Sequence, residues 1–360
     1  MSAPVPRPGI LDIAPYIGGE AMAEGATRLI RLASNEGALG PSPRAVEAYR
    51  ALAPVLHRYP DGASEVLTEA VARKYALEPK QIVWGSGSDE LISLLTRAYA
   101  GPGDEVLYSA HGFLMYPIAA RTVGATPVTA PEINLTADVD ALLAAVTART
   151  KMVFLANPNN PTGSVISAAE VRRLHAGLPE HVVLVLDSAY AEFVSDADYS
   201  AGTELVREFN NVVMARTFSK LYALAALRLG WAYCPPAIAE VLHRVRGPFN
   251  VNAAAQAAGL AALADEEFCE RARLHNERER ARFSDRLGAL GLKAYPSAGN
   301  FVLVDFSPMG AAEAVRLHLK AHGILVRQMG AYKLPHCLRI TIGLSEEMDE
   351  VIAALIAYRP

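Results

Sequence analysis

An α/β fold with a mostly parallel sheet, joined to a smaller α+β unit, follows from three features of the 360-residue sequence. Short apolar runs alternate with longer helical patterns. The runs are continuous in Val, Leu and Ile, as strands buried on both faces require, and glycine and polar residues collect directly after them. In order, the strand candidates are "QIVW" before "GSGSDELISLLTRAYA", "DEVLYS" after "GPG", "KMVFLA" into "NPNNPTG", "HVVLVLD" into "SAYAEF", and "NVVMAR" into "TFSK". The Ala/Leu-rich segment after "TFSK" has the composition of a helix. Ligands bind at the carboxyl ends of strands in open α/β sheets, so these loops form the candidate site.

After about residue 255 the pattern changes. The stretch "AAAQAAGLAALADEEFCERARLHNERERARFSDRL" reads as one long helix with a densely charged face, followed by "AYPSAGNFVLVDF" and "CLRITIG" as strands of the smaller unit. The expected division is residues 34–255 for the large unit and residues 1–33 plus 256–360 for the small one. The proline-rich first nine residues read as an extended or mobile arm.

Hydrophobic residues make up 51% and charged residues 20%, with a formal net charge of −4 and no basic block. A large core is therefore available. Bulk electrostatic binding to nucleic acid is excluded, while a local anion pocket is not. Cys234, Cys269 and Cys337 are widely spaced, which supports neither a disulfide framework nor a zinc ribbon and fits a reducing cytoplasm. The first twenty residues lack the pattern of a signal peptide, and no uncharged run reaches the ~18 apolar residues of a membrane span. A soluble cytoplasmic protein is expected.

Each strand-end loop carries residues with chemistry and an ordinary structural alternative. In "GSGSDE", residues 85–90, free amides at a helix start suit a phosphate, although Ser88 or Asp89 could equally be an N-cap. In "NPNNPTG", Pro161 restricts Asn160, which could donate into a cleft or close an Asx-turn. Asp187 ends an apolar run, where a carboxylate needs a cationic partner such as a protonated ring nitrogen, or serves as a helix cap; Tyr190 follows with a phenol. Thr217, Ser219 and Arg228 could bind an anion while Lys220 faces an electrophile. Lysine forms Schiff bases with carbonyl cofactors once burial and a neighbouring cation lower its pKa.

Asn160, Asp187, Tyr190, Lys220 and Arg228 in this order, downstream of "SGSDE", resemble the aspartate-aminotransferase-like family of pyridoxal-phosphate enzymes. The sequence is similar in particular to the histidinol-phosphate aminotransferases. The resemblance is carried almost end to end by "PYIGG", "RLASNEGALGPSP", "HRYPDG", "GSGSDELI", "HGFLMYP", "NPNNPTG", "DSAYAEF", "RTFSKLYALAALRLGW", "RGPFNVN" and "CLRITIG". It implies the aspartate-aminotransferase-like fold, a large cofactor domain with a smaller domain that closes on it. Lys220 would hold pyridoxal 5'-phosphate and shuttle the substrate proton, Asp187 would pair with the ring nitrogen, and Asn160 and Tyr190 would bond the phenolic oxygen. Phe113 would stack on the ring unless it is simply a core residue. The cofactor phosphate would meet Ser88, Asp89, Thr217, Ser219 and Arg228, with Tyr59 arriving from the second subunit of a homodimer.

Tyr16, Arg327 and Arg339 would receive, in turn, the phosphate of L-histidinol phosphate and a carboxylate of L-glutamate or 2-oxoglutarate, with surface ion pairing as the alternative for Arg327. The implied reaction is transamination in histidine biosynthesis, with no metal. The nearest rival is an aromatic amino-acid aminotransferase for phenylalanine or tyrosine, or one enzyme with both activities; a threonine-phosphate decarboxylase shares fold and lysine. A non-catalytic cofactor-binding regulator would need a fused nucleic-acid-binding domain, for which the N-terminal arm is too short. Two departures stand out. Ser188 replaces the usual glutamate after Asp187 and is expected to point away from the ring, while "NEGALG" lacks the usual Asn-Pro pair and is expected to loosen the segment linking the domains.

Overall fold

The computed structural model describes residues 4–20, 22 and 28–359. Residues 1–3, 21 and 23–27, expected in the small unit, and Pro360 lie outside the described residues. Seven strands form the larger sheet, in spatial order Ile82–Gly85, Gly230–Tyr233, Val212–Thr217, Val183–Asp187, Thr150–Ala156, Glu105–Ser109 and Thr126–Ala130. Gly230–Tyr233 runs antiparallel to both neighbours, and the other pairs are parallel.

Side-chain alternation explains why these strands read as unbroken apolar runs. Leu107, Leu155, Leu184 and Met214 face one layer, where Ala255, Ala258 and Ala262 of the helix Ala253–Ala264 pack. Val106, Phe154, Val185 and Val213 face the other, against the helices Ser88–Tyr99 and Pro236–Val245. Both faces are therefore dry, and polar residues can collect only beyond the strand ends.

The smaller sheet has the order Ile30–Leu32, Ile324–Gln328, Cys337–Thr341, Phe301–Asp305, Lys293–Ala294. Its first pair is parallel and the rest are antiparallel, so an N-terminal strand completes a unit otherwise built from the C-terminal third. Phe283, Leu287, Val302, Val315, Ile340 and Val351 fill its core.

Three expectations need correction. The long helix after residue 255 is two helices, Ala253–Ala264 and Glu266–Ala289, broken at the buried Asp265, because the alanine-rich part packs on the large sheet and the charged part serves the small unit. The expected boundary at 255 thus falls inside a helix whose Leu263 still belongs to the large core. The Ala/Leu-rich segment after Lys220 forms only the 3-10 turn Ala225–Leu227, since the chain must return at once as the antiparallel strand Gly230–Tyr233, with Ala223 and Arg228 at positive φ.

The two units meet through asparagines. The Asn300 side chain donates to the backbone carbonyls of Asn35 (3.0 Å) and Glu36 (3.2 Å), and the Asn35 amide N–H donates to Thr341 Oγ1 at 3.0 Å. Asn35 and Asn300 are 1% and 2% exposed, so water cannot replace these partners. Asn300→Ala strands one buried carbonyl and one part-buried one and should lower stability by about 1–3 kcal/mol in a urea titration, seen as a lower unfolding midpoint.

Candidate active site

All of the sequence-derived site residues except Tyr59 line one cavity of about 270 Å³ at the carboxyl edge of the large sheet. Tyr59 lies elsewhere, 83% exposed and stacked on Phe249 with ring centroids 4.8 Å apart.

Lys220 sits in the turn between the strands Val212–Thr217 and Gly230–Tyr233, its Nζ 3.3 Å from the Ser34 carbonyl in the segment that follows the strand Ile30–Leu32. Burial pulls its amine down to about 8 from 10.5, helped by the positive charges of Arg339 and Arg228 and opposed by Asp89. Roughly a tenth of the amine is therefore neutral, and nucleophilic, at pH 7, far more than for a lysine at its ordinary pKa.

Asp187 ends the strand Val183–Asp187 and is buried. It caps no helix. Its Oδ2 accepts from the Tyr116 hydroxyl at 2.7 Å and its Oδ1 from the Ala189 amide at 3.3 Å. Burial pushes the carboxyl up to about 6, opposed by the Tyr116 hydrogen bond and, more weakly, by the Lys220 charge, so a cationic partner would stabilise its ionised form.

Two hydrogen-bond donors are oriented toward the same space by what their other atoms bind. Arg339 donates to Asn160 Oδ1, which leaves the Asn160 amide group free to donate, and no Asx-turn forms. Asn35 donates to the Tyr190 hydroxyl oxygen at 2.8 Å, leaving the Tyr190 O–H free in the same way. Burial raises the Tyr190 phenol, which keeps it a donor. Phe113 lines the cavity and meets Tyr116 edge-on at 5.9 Å.

The start of the helix Ser88–Tyr99 resolves the choice between cap and anion site. Its N-cap is Gly87, at φ +83°, so neither Ser88 nor Asp89 caps the helix and the first amides receive no side-chain acceptor. A Cβ on Gly87 would lie 2.3 Å from Arg228 Nη2, which shows how closely that guanidinium covers the helix end. Arg228 also donates to Asp89 Oδ2 at 3.0 Å, and the Thr217 hydroxyl accepts from the Ser219 amide at 3.1 Å nearby. Uncapped amides, hydroxyls and a guanidinium around one point make an anion cradle.

On the opposite wall, Arg327 donates to the Ile17 carbonyl at 2.6 Å and lies 5.8 Å from the Tyr16 ring. It forms no ion pair among the described residues. Arg339 is 5% exposed, donates to the Ala33 carbonyl at 2.8 Å, and leaves its Nε without a partner. Ser188 turns away from the cavity, its hydroxyl donating to the Ala201 carbonyl at 2.9 Å. Sequence reading missed Tyr116 and Asn35; both lie in the strings "HGFLMYP" and "RLASNEGALGPSP", but as an apolar-looking helix residue and a loop asparagine they carry no signal of their own. Among the described residues no cluster of acids, histidines or cysteines could hold a metal, and no helix is long and apolar enough to cross a membrane.

A desolvated lysine, a buried carboxylate and a helix-end anion cradle at one sheet edge suit a phosphorylated carbonyl cofactor with a basic ring nitrogen. Residues 27–356 match the family described as aminotransferase class I and II, and the chain belongs to that family. It is 65% identical to the histidinol-phosphate aminotransferase of Rhodospirillum centenum, across 99% of this chain and 98% of the relative. Its identity to the enzyme of the same name from Paramagnetospirillum magneticum is 60%, across 99% and 98%. Among solved structures, histidinol-phosphate aminotransferase from Sinorhizobium meliloti in complex with pyridoxal-5'-phosphate superposes with a TM-score of 0.90 at 34% identity, covering 97% of this chain and 96% of that one. Aspartate aminotransferase of Thermus thermophilus with maleate superposes at a TM-score of 0.81 and 26% identity, covering 91% of each chain. The residues here fit such a cofactor: an amine for its aldehyde, a carboxylate for its ring nitrogen, and a cradle for its phosphate.

Trapping of Lys220 by an aldehyde with borohydride, in protein freed of cofactor, should rise with pH to half its maximum near 8 and vanish in Lys220→Ala. A midpoint near the ordinary 10.5 would show that the amine is not desolvated.

Proposed function

We propose that this aminotransferase acts on L-histidinol phosphate. With pyridoxal 5'-phosphate it exchanges an amino group between L-histidinol phosphate plus 2-oxoglutarate and imidazole acetol phosphate plus L-glutamate, a step of histidine biosynthesis. The observation that carries the reading is the placement of Tyr16 and two guanidiniums, Arg327 and Arg339, in the cavity that holds Lys220. A guanidinium fork accepts carboxylate or phosphate oxygens equally well in bidentate fashion. One pocket must receive both substrates in turn, and this one has the donors to do so. Full-length likeness to enzymes of that name supports the assignment.

When bound, the cofactor supplies an aldehyde that takes up amines and a ring that, protonated at nitrogen, accepts the electron pair left at the substrate Cα. Lys220 would hold that aldehyde through its amine and would serve as the base that carries the substrate Cα proton. Asp187 would keep the ring nitrogen protonated, and the pairing would relieve its own buried charge. Asn160 and Tyr190 would donate to the phenolic oxygen, and Phe113 would pack against the ring. The amides of Ser88 and Asp89, the Thr217 and Ser219 hydroxyls and Arg228 would hold the phosphate. The small unit, by covering the cavity, would exclude water from the reacting Cα.

Tyr59 serves a second copy of the chain. It does not line its own chain's cavity, and it stands in an exposed apolar patch with Val55 (46%), Leu56 (73%) and Phe249 (44%), which a homodimer would cover.

Single-turnover mixing with L-histidinol phosphate and, separately, L-phenylalanine should give a much larger specificity constant for the phosphate ester; comparable constants would mark an aromatic aminotransferase instead. Arg327→Gln should lower the constant for L-histidinol phosphate by about 10- to 100-fold, the worth of a charged hydrogen bond. Tyr59→Phe should weaken cofactor retention in a dimer of unchanged size; tight retention by a monomer at high dilution would rule out a shared site.

A further inference from the structure

One buried titratable group next to the site has no part in the chemistry so far. Tyr116 is fully buried in the helix Met115–Thr122 and does not line the cavity. Its ring is clamped: it stacks on Phe154 at 4.6 Å and 4°, and meets Phe113 and Tyr108 edge-on at 5.9 Å each. Its hydroxyl is spent on Asp187 Oδ2 at 2.7 Å.

We infer that Tyr116 is a positioning residue, a phenol behind the cavity that holds the Asp187 carboxylate toward the cofactor's ring nitrogen and so sets how tightly the cofactor is held. The geometry allows little else to do this. Oδ2 has one strong donor, Tyr116, while Oδ1 takes only the long 3.3 Å bond from Ala189, which leaves its remaining lone pair for the cavity. An O–H bond to a carboxylate is among the stronger hydrogen bonds, and in a dry site it both fixes the carboxylate rotamer and favours the ionised form. The phenol does not give up its proton, because burial first, and the Asp187 charge next, raise it well above its ordinary value. The other charged groups acting on Asp187 are Asp89, which opposes ionisation, and Lys220, which favours it more weakly than Tyr116 does.

The sign of the pH effect follows. Without the phenol, the carboxyl that burial already lifts to about 6 rises further, so more of it is protonated at neutral pH and unable to pair with a protonated ring nitrogen. Cofactor affinity is then lost at low pH and regained as pH rises and Asp187 ionises.

The test measures cofactor dissociation constants from pH 6 to 8.5 by equilibrium absorbance, alongside melting of the cofactor-free full-length protein. Tyr116→Phe, which keeps the ring stack, should fold with a modestly lower melting temperature, since buried Asp187 Oδ2 loses its donor, and bind the cofactor about 10- to 100-fold more weakly at pH 7. The deficit should shrink toward pH 8.5. Phe154→Leu, which loosens the stack and keeps the hydroxyl, should show no such pH-dependent deficit. 3-Fluorotyrosine at position 116, a stronger donor, should move the binding profile to lower pH, and it decides the matter if Tyr116→Phe does not fold. Parent-like affinity of Tyr116→Phe, a deficit constant across pH, or an unmoved profile with fluorotyrosine would overturn the inference. It rests on Asp187 as the ring-nitrogen partner, so Asp187→Asn is measured in parallel. Unchanged affinity there removes both, whereas a loss in Asp187→Asn with none in Tyr116→Phe removes this inference alone.

Discussion

The site depends on the exclusion of water from the seam between the large sheet and the small unit. Burial drives Lys220 down to about 8 and Asp187 up to about 6, each toward its neutral form, and it depresses the Arg339 guanidinium as well. A desolvated amine is a better nucleophile, and a desolvated carboxylate is a better partner for a cation. Both properties follow from one physical cause. Such groups weaken the fold rather than strengthen it, which is the usual mark of side chains kept for chemistry. The unpartnered Nε of Arg339, in the same seam, belongs to the same pattern.

Keeping that seam closed falls to a few neutral amides. Asn35 adopts φ 56°, and that turn lets its backbone N–H reach Thr341 while its side chain reaches Tyr190. Asn300 holds the carbonyls on either side. The segment "NEGALG" was expected to be loose for want of a proline, yet it is tightly held. A Cβ on Gly37 would fall 2.6 Å from the Ala223 Cβ, so close packing against the Lys220 turn replaces the stiffness of a proline ring. The same contact ties the linking segment directly to the turn that carries the reactive lysine.

How far the sequence could be read depended on whether a residue's role was local. The strand ends were legible because two dry faces force unbroken apolar runs, and because only loop residues such as Asn160 and Lys220 can follow them. Thr126–Ala130 escaped notice because it is an edge strand, half exposed and interrupted by Pro127. The return strand Gly230–Tyr233 escaped because Ala/Leu composition favours a helix, and only the tertiary need to re-enter the sheet beside Thr217 overrides it. Tyr116 looks like any core tyrosine until Asp187, 71 residues later, is brought to its hydroxyl. Tyr59 shows the opposite limit, since a single chain gives it neighbours but no cavity.

One costly feature lies just behind the site. Arg216 and Glu192 form an ion pair at 2.9 Å with side chains 8% and 7% exposed, and Arg216 lies 4.5 Å from the Tyr75 ring and 5.6 Å from the Trp231 ring. Glu192 has no hydrogen bond of good geometry and Arg216 Nε has none either, so the pair recovers only part of its desolvation penalty. Replacement by apolar residues of similar size is often neutral or stabilising at such places, and stability therefore does not account for it. Position does. Strand alternation sends Arg216 to the packed layer and its neighbour Thr217 to the cavity, while Glu192 follows Tyr190 by two residues in the turn Ala191–Phe193. The ion pair thus joins the turn behind the phenol to the strand end that delivers Thr217, Ser219 and Lys220. It fixes across the back of the sheet the spacing that the two halves of the cavity need at the front.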